Sequence, residues 1–241
     1  MKNLVLFGIF VLFLVAIQFA GGQTVDEIIK KHIRAKGGFD KLNVIQNIYF
    51  EGLITMMGIV GMVKIYKVQN EQNPNGFDMQ WQITEQDGTF IVPNHMFADS
   101  PLVRQIMAAT QIEPDITGPL INYEEAGSKA VLIGKDVVKD CTCYKILLTT
   151  NEGRQINYWI DTSNFLLFQL SFKNAEINAG QNSVTHAIFS NYKTVDGFLL
   201  AHSTEMTMTG LNENLSVEIN FNKITINQPV NVIFVETYNQ S

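Results

Sequence analysis

The sequence predicts a mainly β, α+β domain: a large antiparallel sheet or barrel of roughly ten strands, with helices against it. Three observations predict it. From Ile48 the apolar pattern repeats every second residue, most clearly where Phe77, Met79, Trp81 and Ile83 alternate with Asp78, Gln80, Gln82 and Thr84. Turn signals separate many of the candidate strands, at Asn73-Pro74-Asn75-Gly76, Asp87-Gly88, Asn151-Glu152-Gly153 and Asp196-Gly197. The period changes to helical in two places, after Thr24 and again within 98–127.

The chain begins Met1-Lys2, continues with an apolar run from Leu4 to Ile17, and passes through Ala20, Gly21 and Gly22 to Gln23. A positive start, a short apolar stretch and a small-residue exit are the parts of a secretory signal peptide, here 1–22, cleaved near Gly22. The run is shorter than the roughly 18–20 residues that span a bilayer comfortably, and an uncleaved membrane anchor is the alternative reading. No cysteine follows it to carry a lipid anchor. The expectation is an exported, soluble, single domain, 23–241.

Thr24-Val25-Asp26-Glu27 has the spacing of a capping box, in which hydroxyl and carboxylate satisfy free N–H groups at a helix start. Ile28, Ile29, His32 and Ile33 come next at helical spacing, and Gly37-Gly38 supplies the stop. A second short helix is expected over about 39–45. Leu166, Phe168, Leu170 and Phe172 alternate later, as do Leu215, Val217, Ile219 and Phe221. Leu102, Val103, Ile106 and Met107 fit one helical face, and Pro114 and Pro119 divide the stretch after it into short pieces. A helical insertion in a meandering sheet is a natural cover for one sheet face.

Composition narrows the function. Charged residues are 17% of the chain, apolar residues 46%, and the net charge is −6. A mildly acidic chain has no electrostatic footprint for nucleic acid and no polybasic patch for an anionic membrane surface. Cys141 and Cys143 stand two apart, so on a strand their Cβ atoms lie about 6–7 Å from one another, against the ~4 Å of a disulfide. They read as small buried hydrophobes, with pairing to another chain the alternative in an oxidising compartment. No further ligands lie near them for a metal.

Nothing asks for catalysis. The chain has no Gly-x-Ser-x-Gly elbow, no His-Glu-x-x-His and no phosphate-cradling glycine loop. His32, His95, His186 and His202 are scattered, and His202 reads as a hydrogen-bonded strand residue. Glu124-Glu125, being neighbours, point apart and read as a solvated turn. No cofactor is expected.

Several segments resemble a known family. Ala35-Lys36-Gly37-Gly38-Phe39-Asp40-Lys41-Leu42, then Ile45-Gln46-Asn47-Ile48 and Gly52, resemble the opening of LolA/LolB-like outer-membrane lipoprotein-sorting proteins, in their divergent Bacteroidetes-type branch. Gly118-Pro119-Leu120-Ile121-Asn122-Tyr123, Gly134-Lys135-Asp136, Tyr158-Trp159-Ile160-Asp161 and Asn191-Tyr192-Lys193-Thr194-Val195-Asp196-Gly197 continue it in order over nearly the whole mature chain. The resemblance implies a curved, incomplete antiparallel barrel of roughly ten or eleven strands covered by helices. It also implies a soluble periplasmic carrier, which takes the acyl chains of lipoproteins or other lipids into an apolar cavity and moves them toward the outer membrane. A membrane-protein donor or receptor is its implied partner, and the carrier is expected to be a monomer. The lid-gating arginine of the family has no aligned counterpart; Arg104 lies in the helical insertion.

Burying acyl chains needs a concave apolar surface and a cover, without reacting groups, at about 0.8 kcal/mol per CH₂. The residues expected to line such a cavity are Met56, Phe77, Met79, Trp81, Ile83, Met107, Phe168 and Leu170. Their flexible methionines suit a variable ligand, and the same side chains would also serve as plain core filling. The alternative function on this fold is an envelope sensor that binds an acylated ligand and a membrane-protein partner; an enzyme on a lipid-binding scaffold is the third.

Overall fold

The structure is a computed structural model that describes residues 23–42, 44–56, 58–69, 77–85, 88–92, 118–173, 183–209 and 214–229. The expected signal segment, the turn at 73–76, and the helical stretch with Arg104 and Met107 lie outside the described residues. None of the described helices is long and apolar enough to cross a membrane.

The first element is the expected helix, α1 (Val25–Lys36). Its capping box is complete: the Glu27 N–H donates to the Thr24 hydroxyl at 3.2 Å, and the Thr24 N–H donates to the Glu27 carboxylate at 3.1 Å. Gly37, at φ +133°, ends the helix, and the Gly38 N–H reaches back to the Ile33 carbonyl at 3.0 Å. A side chain at Gly37 would press on the Gly197 carbonyl, so glycine also sets how closely the helix end meets the sheet. The second helix, α2 (Phe39–Leu42), is one turn long, shorter than the sequence suggests.

Among the described residues, eleven strands form one antiparallel sheet: β1 (Asn47–Met56), β2 (Ile59–Gln69), β3 (Phe77–Glu85), β4 (Gly88–Val92), β5 (Lys129–Val138), β6 (Cys141–Thr149), β7 (Gln155–Asp161), β8 (Leu167–Lys173), β9 (Val184–Val195), β10 (Phe198–Thr209) and β11 (Leu215–Ile226). The order across the sheet is β4-β3-β2-β1-β11-β10-β9-β8-β7-β6-β5. Strands β4 and β5 are its two edges, so the sheet is not closed into a barrel. This is the incomplete antiparallel barrel with helices that the sequence leads one to expect.

Register turns the alternation into a continuous apolar face. One row runs Met56–Val217–Met206–Ala187–Leu170–Tyr158–Ile146–Leu132, crossing eight strands from β1 to β5. Neighbours in such a row have Cβ atoms about 5 Å apart and pack directly. Val217, Met206, Ala187, Leu170 and Ile146 are wholly buried. Beside this row, the Phe50 and Phe221 rings meet at 5.0 Å. Gly52 is needed here, at a bulge between β1 and β11, because a Cβ would collide with the Asn220 carbonyl oxygen.

A second bulge changes one sequence expectation. Trp159 pairs with Gln169 but Ile160 pairs with Leu167, leaving Phe168 without a partner on β7. The core face therefore takes Leu167, Leu170 and Phe172, while Phe168 is only half-buried. A strict alternation through Leu166 and Phe168 cannot persist across an extra residue.

The opposite face carries a smaller cluster. Cys143 is fully buried there and Trp159 nearly so, although neither belongs to the main core. The Trp159 indole N–H donates to Asp136 at 3.0 Å, and the Lys145 ammonium lies 4.8 Å from the Trp159 ring centroid. That indole hydrogen bond holds the Asp136 carboxyl below its usual range. Above the cluster, Lys139 and Asp140 take φ of 44° and 65°, the double left-handed turn of a tight hairpin. From that turn Lys139 reaches Glu205 on β10 at 2.8 Å. The two thiols are free, yet their sulfurs approach to 3.3 Å on this face. Burial first, then the neighbouring thiol and carboxylates, pushes the Cys143 thiol far up.

Candidate groove beside the first helix

Helix α1 uses two flanks. Ile28 and His32 are buried against the sheet side, and the His32 Nδ1–H donates to the Phe165 carbonyl at 2.8 Å. Burial, followed by the nearby Lys36 charge, lowers the His32 pKa to about 3, so the ring is neutral. The other flank carries Asp26, Ile29, Lys30, Ile33 and Arg34, and it forms one wall of a groove of about 560 Å³. That volume lies within the range of small-molecule sites, roughly 300–1,000 Å³.

The facing wall is the segment 121–125, with Gly38 and Phe39 closing the lining after the helix. Local hydrogen bonds shape that wall. The Ala126 N–H donates to the Asn122 carbonyl at 2.9 Å and the Ser128 N–H to the Tyr123 carbonyl at 2.8 Å. Gly127, at φ +70°, provides the left-handed residue that ends such a turn. Leu120, 3% exposed, roots the segment in the main core.

The floor is apolar and the lips are charged. Ile29 and Ile33 are buried; Lys30, Arg34, Glu124 and Glu125 are exposed. At the start of α1 the Tyr123 hydroxyl lies 2.5 Å from Asp26 Oδ1 and 3.1 Å from Glu124 Oε1, donating between them. Burial and these two carboxylates raise the Tyr123 pKa well above the usual phenol value. Chemically, the groove can hold an apolar chain and hydrogen-bond a polar head. Among the described residues, no three His, Cys, Asp or Glu side chains gather as a metal site.

Among the expected cavity residues whose side chains are described, Met56, Phe168 and Leu170 do not line this groove. Met56 packs partly buried against the core and shares its cross-strand row with Leu170, which is fully buried. Phe77, Met79, Trp81 and Ile83 hold alternate positions on β3 opposite Gln69, Lys67, Ile65 and Val63. Val63 and Ile65 are core residues, so the register sets Trp81 and Ile83 beside core positions of β2. Phe168 stands at the β7–β8 bulge, and Met107 lies outside the described residues. The groove takes its lining from α1, its C-terminal glycine and aromatic neighbour, and 121–125 instead.

In the sequence, Ile29 and Ile33 read as an apolar helix face and Glu124-Glu125 as a solvated turn. Both readings describe those residues, and neither brings them together. The available signal is Asp26, Lys30 and Arg34 at i, i+4 and i+8 directly beside Ile29 and Ile33, an apolar stripe with a charged border.

No family model matches the chain, and no curated protein matches it. Solved structures do. A DUF1329 family protein from Desulfovibrio piger is similar over 88% of this chain and 97% of that one, with 14% identity and a TM-score of 0.52. A LolA superfamily protein from Nitrosomonas europaea is similar over 90% and 100%, with 11% identity and a TM-score of 0.49. A domain described as an outer membrane lipoprotein-sorting protein, from Vibrio parahaemolyticus, is similar over 85% and 92%, with 10% identity and a TM-score of 0.46. At this identity the likeness to the Desulfovibrio protein shows the fold alone, and that fold is shared along nearly the full length of both chains.

Proposed function

We propose that this protein is a carrier that shelters the acyl chain of a lipid or lipoprotein, working in the periplasm after removal of 1–22 and delivering toward the outer membrane. The observation that carries the reading is the groove of about 560 Å³ whose apolar lining is Ile29, Ile33, Phe39 and Ile121. Each CH₂ taken out of water there contributes about 0.8 kcal/mol, enough for a long chain to be held without any covalent chemistry. The order of motifs along the sequence supports the same reading. Among the described residues, the groove lining holds no serine, cysteine or histidine, which favours binding over nucleophilic catalysis.

The test is direct. Purified protein should release lipid on organic extraction, read by mass spectrometry, and should take up a fluorescent fatty acid. Ile121→Trp, which fills the groove, should weaken uptake about tenfold or more, the loss of a few buried CH₂ contacts. No extracted lipid and no uptake would sink the proposal.

A further inference from the structure

We propose that the groove selects a zwitterionic amphiphile, one whose head carries an ammonium and a phosphate; this rests on the reading of the groove as an acyl-chain site. Charge is segregated along its lip. Asp26, Lys30 and Arg34 succeed one another every four residues on α1, about 6 Å per step along the axis. The anionic end is reinforced from the other wall by Glu124, which shares the Tyr123 hydroxyl with Asp26.

The helix dipole alone favours acids at the start of α1 and bases toward its end. It does not account for a further carboxylate, Glu124, brought to the same end by a separate segment. Nor does it account for Tyr123, whose single hydroxyl hydrogen faces both Asp26 Oδ1 at 2.5 Å and Glu124 Oε1 at 3.1 Å. One hydrogen serves one carboxylate at a time, leaving acceptor capacity and negative charge over. An ammonium, with several N–H donors and a positive charge, completes that cluster. One to two helical turns on, Lys30 and Arg34 supply the cations for a phosphate, with the guanidinium fork suited to two of its oxygens. An amphiphile with only a negative head meets repulsion at the Asp26 end. The chain then lies on Ile29, Ile33 and Phe39.

The experiment uses the full purified protein after delipidation, loaded with a fluorescent fatty acid. Competitors are palmitoyl lysophosphatidylethanolamine, lysophosphatidylcholine, lysophosphatidylglycerol and palmitate, each below its micelle concentration. Lysophosphatidylethanolamine, whose ammonium carries N–H donors, should displace the probe at about fivefold lower concentration than lysophosphatidylglycerol, the scale of one exposed charge pair; lysophosphatidylcholine, which has the positive charge without the donors, should fall between them. Asp26→Asn with Glu124→Gln should bring the three lysophospholipids within about twofold of each other, again on that scale. Lys30→Gln with Arg34→Gln should weaken the lysophospholipids as a group relative to their binding by the unaltered protein. Equal potency of all heads in the unaltered protein, or an unchanged preference in the acidic double variant, overturns headgroup selection while leaving the carrier reading intact. If the fatty acid is not taken up and no competitor binds, the carrier reading fails as well.

Discussion

The core face of the sheet and the groove beside α1 are both lined with isoleucine and aromatic side chains, yet one is filled and the other open. On the sheet, apolar residues from eight strands meet partners at the spacing of a cross-strand pair, and side chains such as Leu170 and Val217 have no exposed surface. Beside α1, Ile29 and Ile33 are the edge of that same core, and they face a turn held off by its own hydrogen bonds and tied down through Leu120 and Tyr123. Apolarity therefore makes a core where register forces close approach. It makes a site where two separately anchored segments keep their distance.

Substitutions test that contrast by their different costs. The largest stability loss should come from Phe50→Ala, which removes a wholly buried ring packed on Phe221 in the filled region. It should cost about 3–5 kcal/mol, read by denaturant unfolding, without selective loss of ligand uptake. Gly52→Ala comes second at about 1–3 kcal/mol, because its Cβ meets backbone that cannot rotate away; an unchanged midpoint would show the β1–β11 bulge to be looser than described.

Next comes pH, at the junction of the two regions. The His32 pKa of about 3 lies below its unfolded value of 6.5. Between those values the unfolded chain binds the extra proton, so stability is full above pH 6.5 and falls as pH drops toward 3. Relative to His32→Gln, the native protein should lose about 2 kcal/mol between pH 7 and pH 5. Parallel pH–stability curves for the two would show that His32 titrates freely. The smallest stability effect belongs to the open region: Ile121→Trp should alter stability by about 1 kcal/mol or less while abolishing most uptake. A large loss of stability there would mean that Ile121, which packs partly buried against the core, has no room to turn a larger ring into the groove.

Much of the fold was legible. The Thr24–Glu27 capping box, the Gly37-Gly38 stop and the Asp196-Gly197 hairpin are local devices, each specified by a few adjacent residues. Amphipathic runs such as 77–84 and 215–221 announce themselves as strands by their strict alternation, and both lie in strands. Alternation cannot reveal an extra residue, and Phe168 is displaced by one. The 3.3 Å approach of the Cys141 and Cys143 sulfurs was likewise hidden, since Cβ spacing on an ideal strand says nothing of how two side chains turn toward each other. The groove was the least legible part. It joins α1 to residues 121–125, about 90 positions away, and half of its lining is charged or polar in a way that reads as surface.

The order of strands in the sheet has a consequence for how the chain is threaded. Every neighbouring pair is a sequential hairpin or meander step except β1 with β11, which zips residues 48–56 to 217–226 across almost the whole length of the domain. Each wing, β1–β4 and β5–β11, can assemble from local contacts, whereas the central seam must wait for the loop between them to close. Joining the ends by a linker and opening the chain between β4 and β5 would make β11 and β1 sequence neighbours. The same sheet would then be written as one uninterrupted meander, with its costliest closure replaced by a short one.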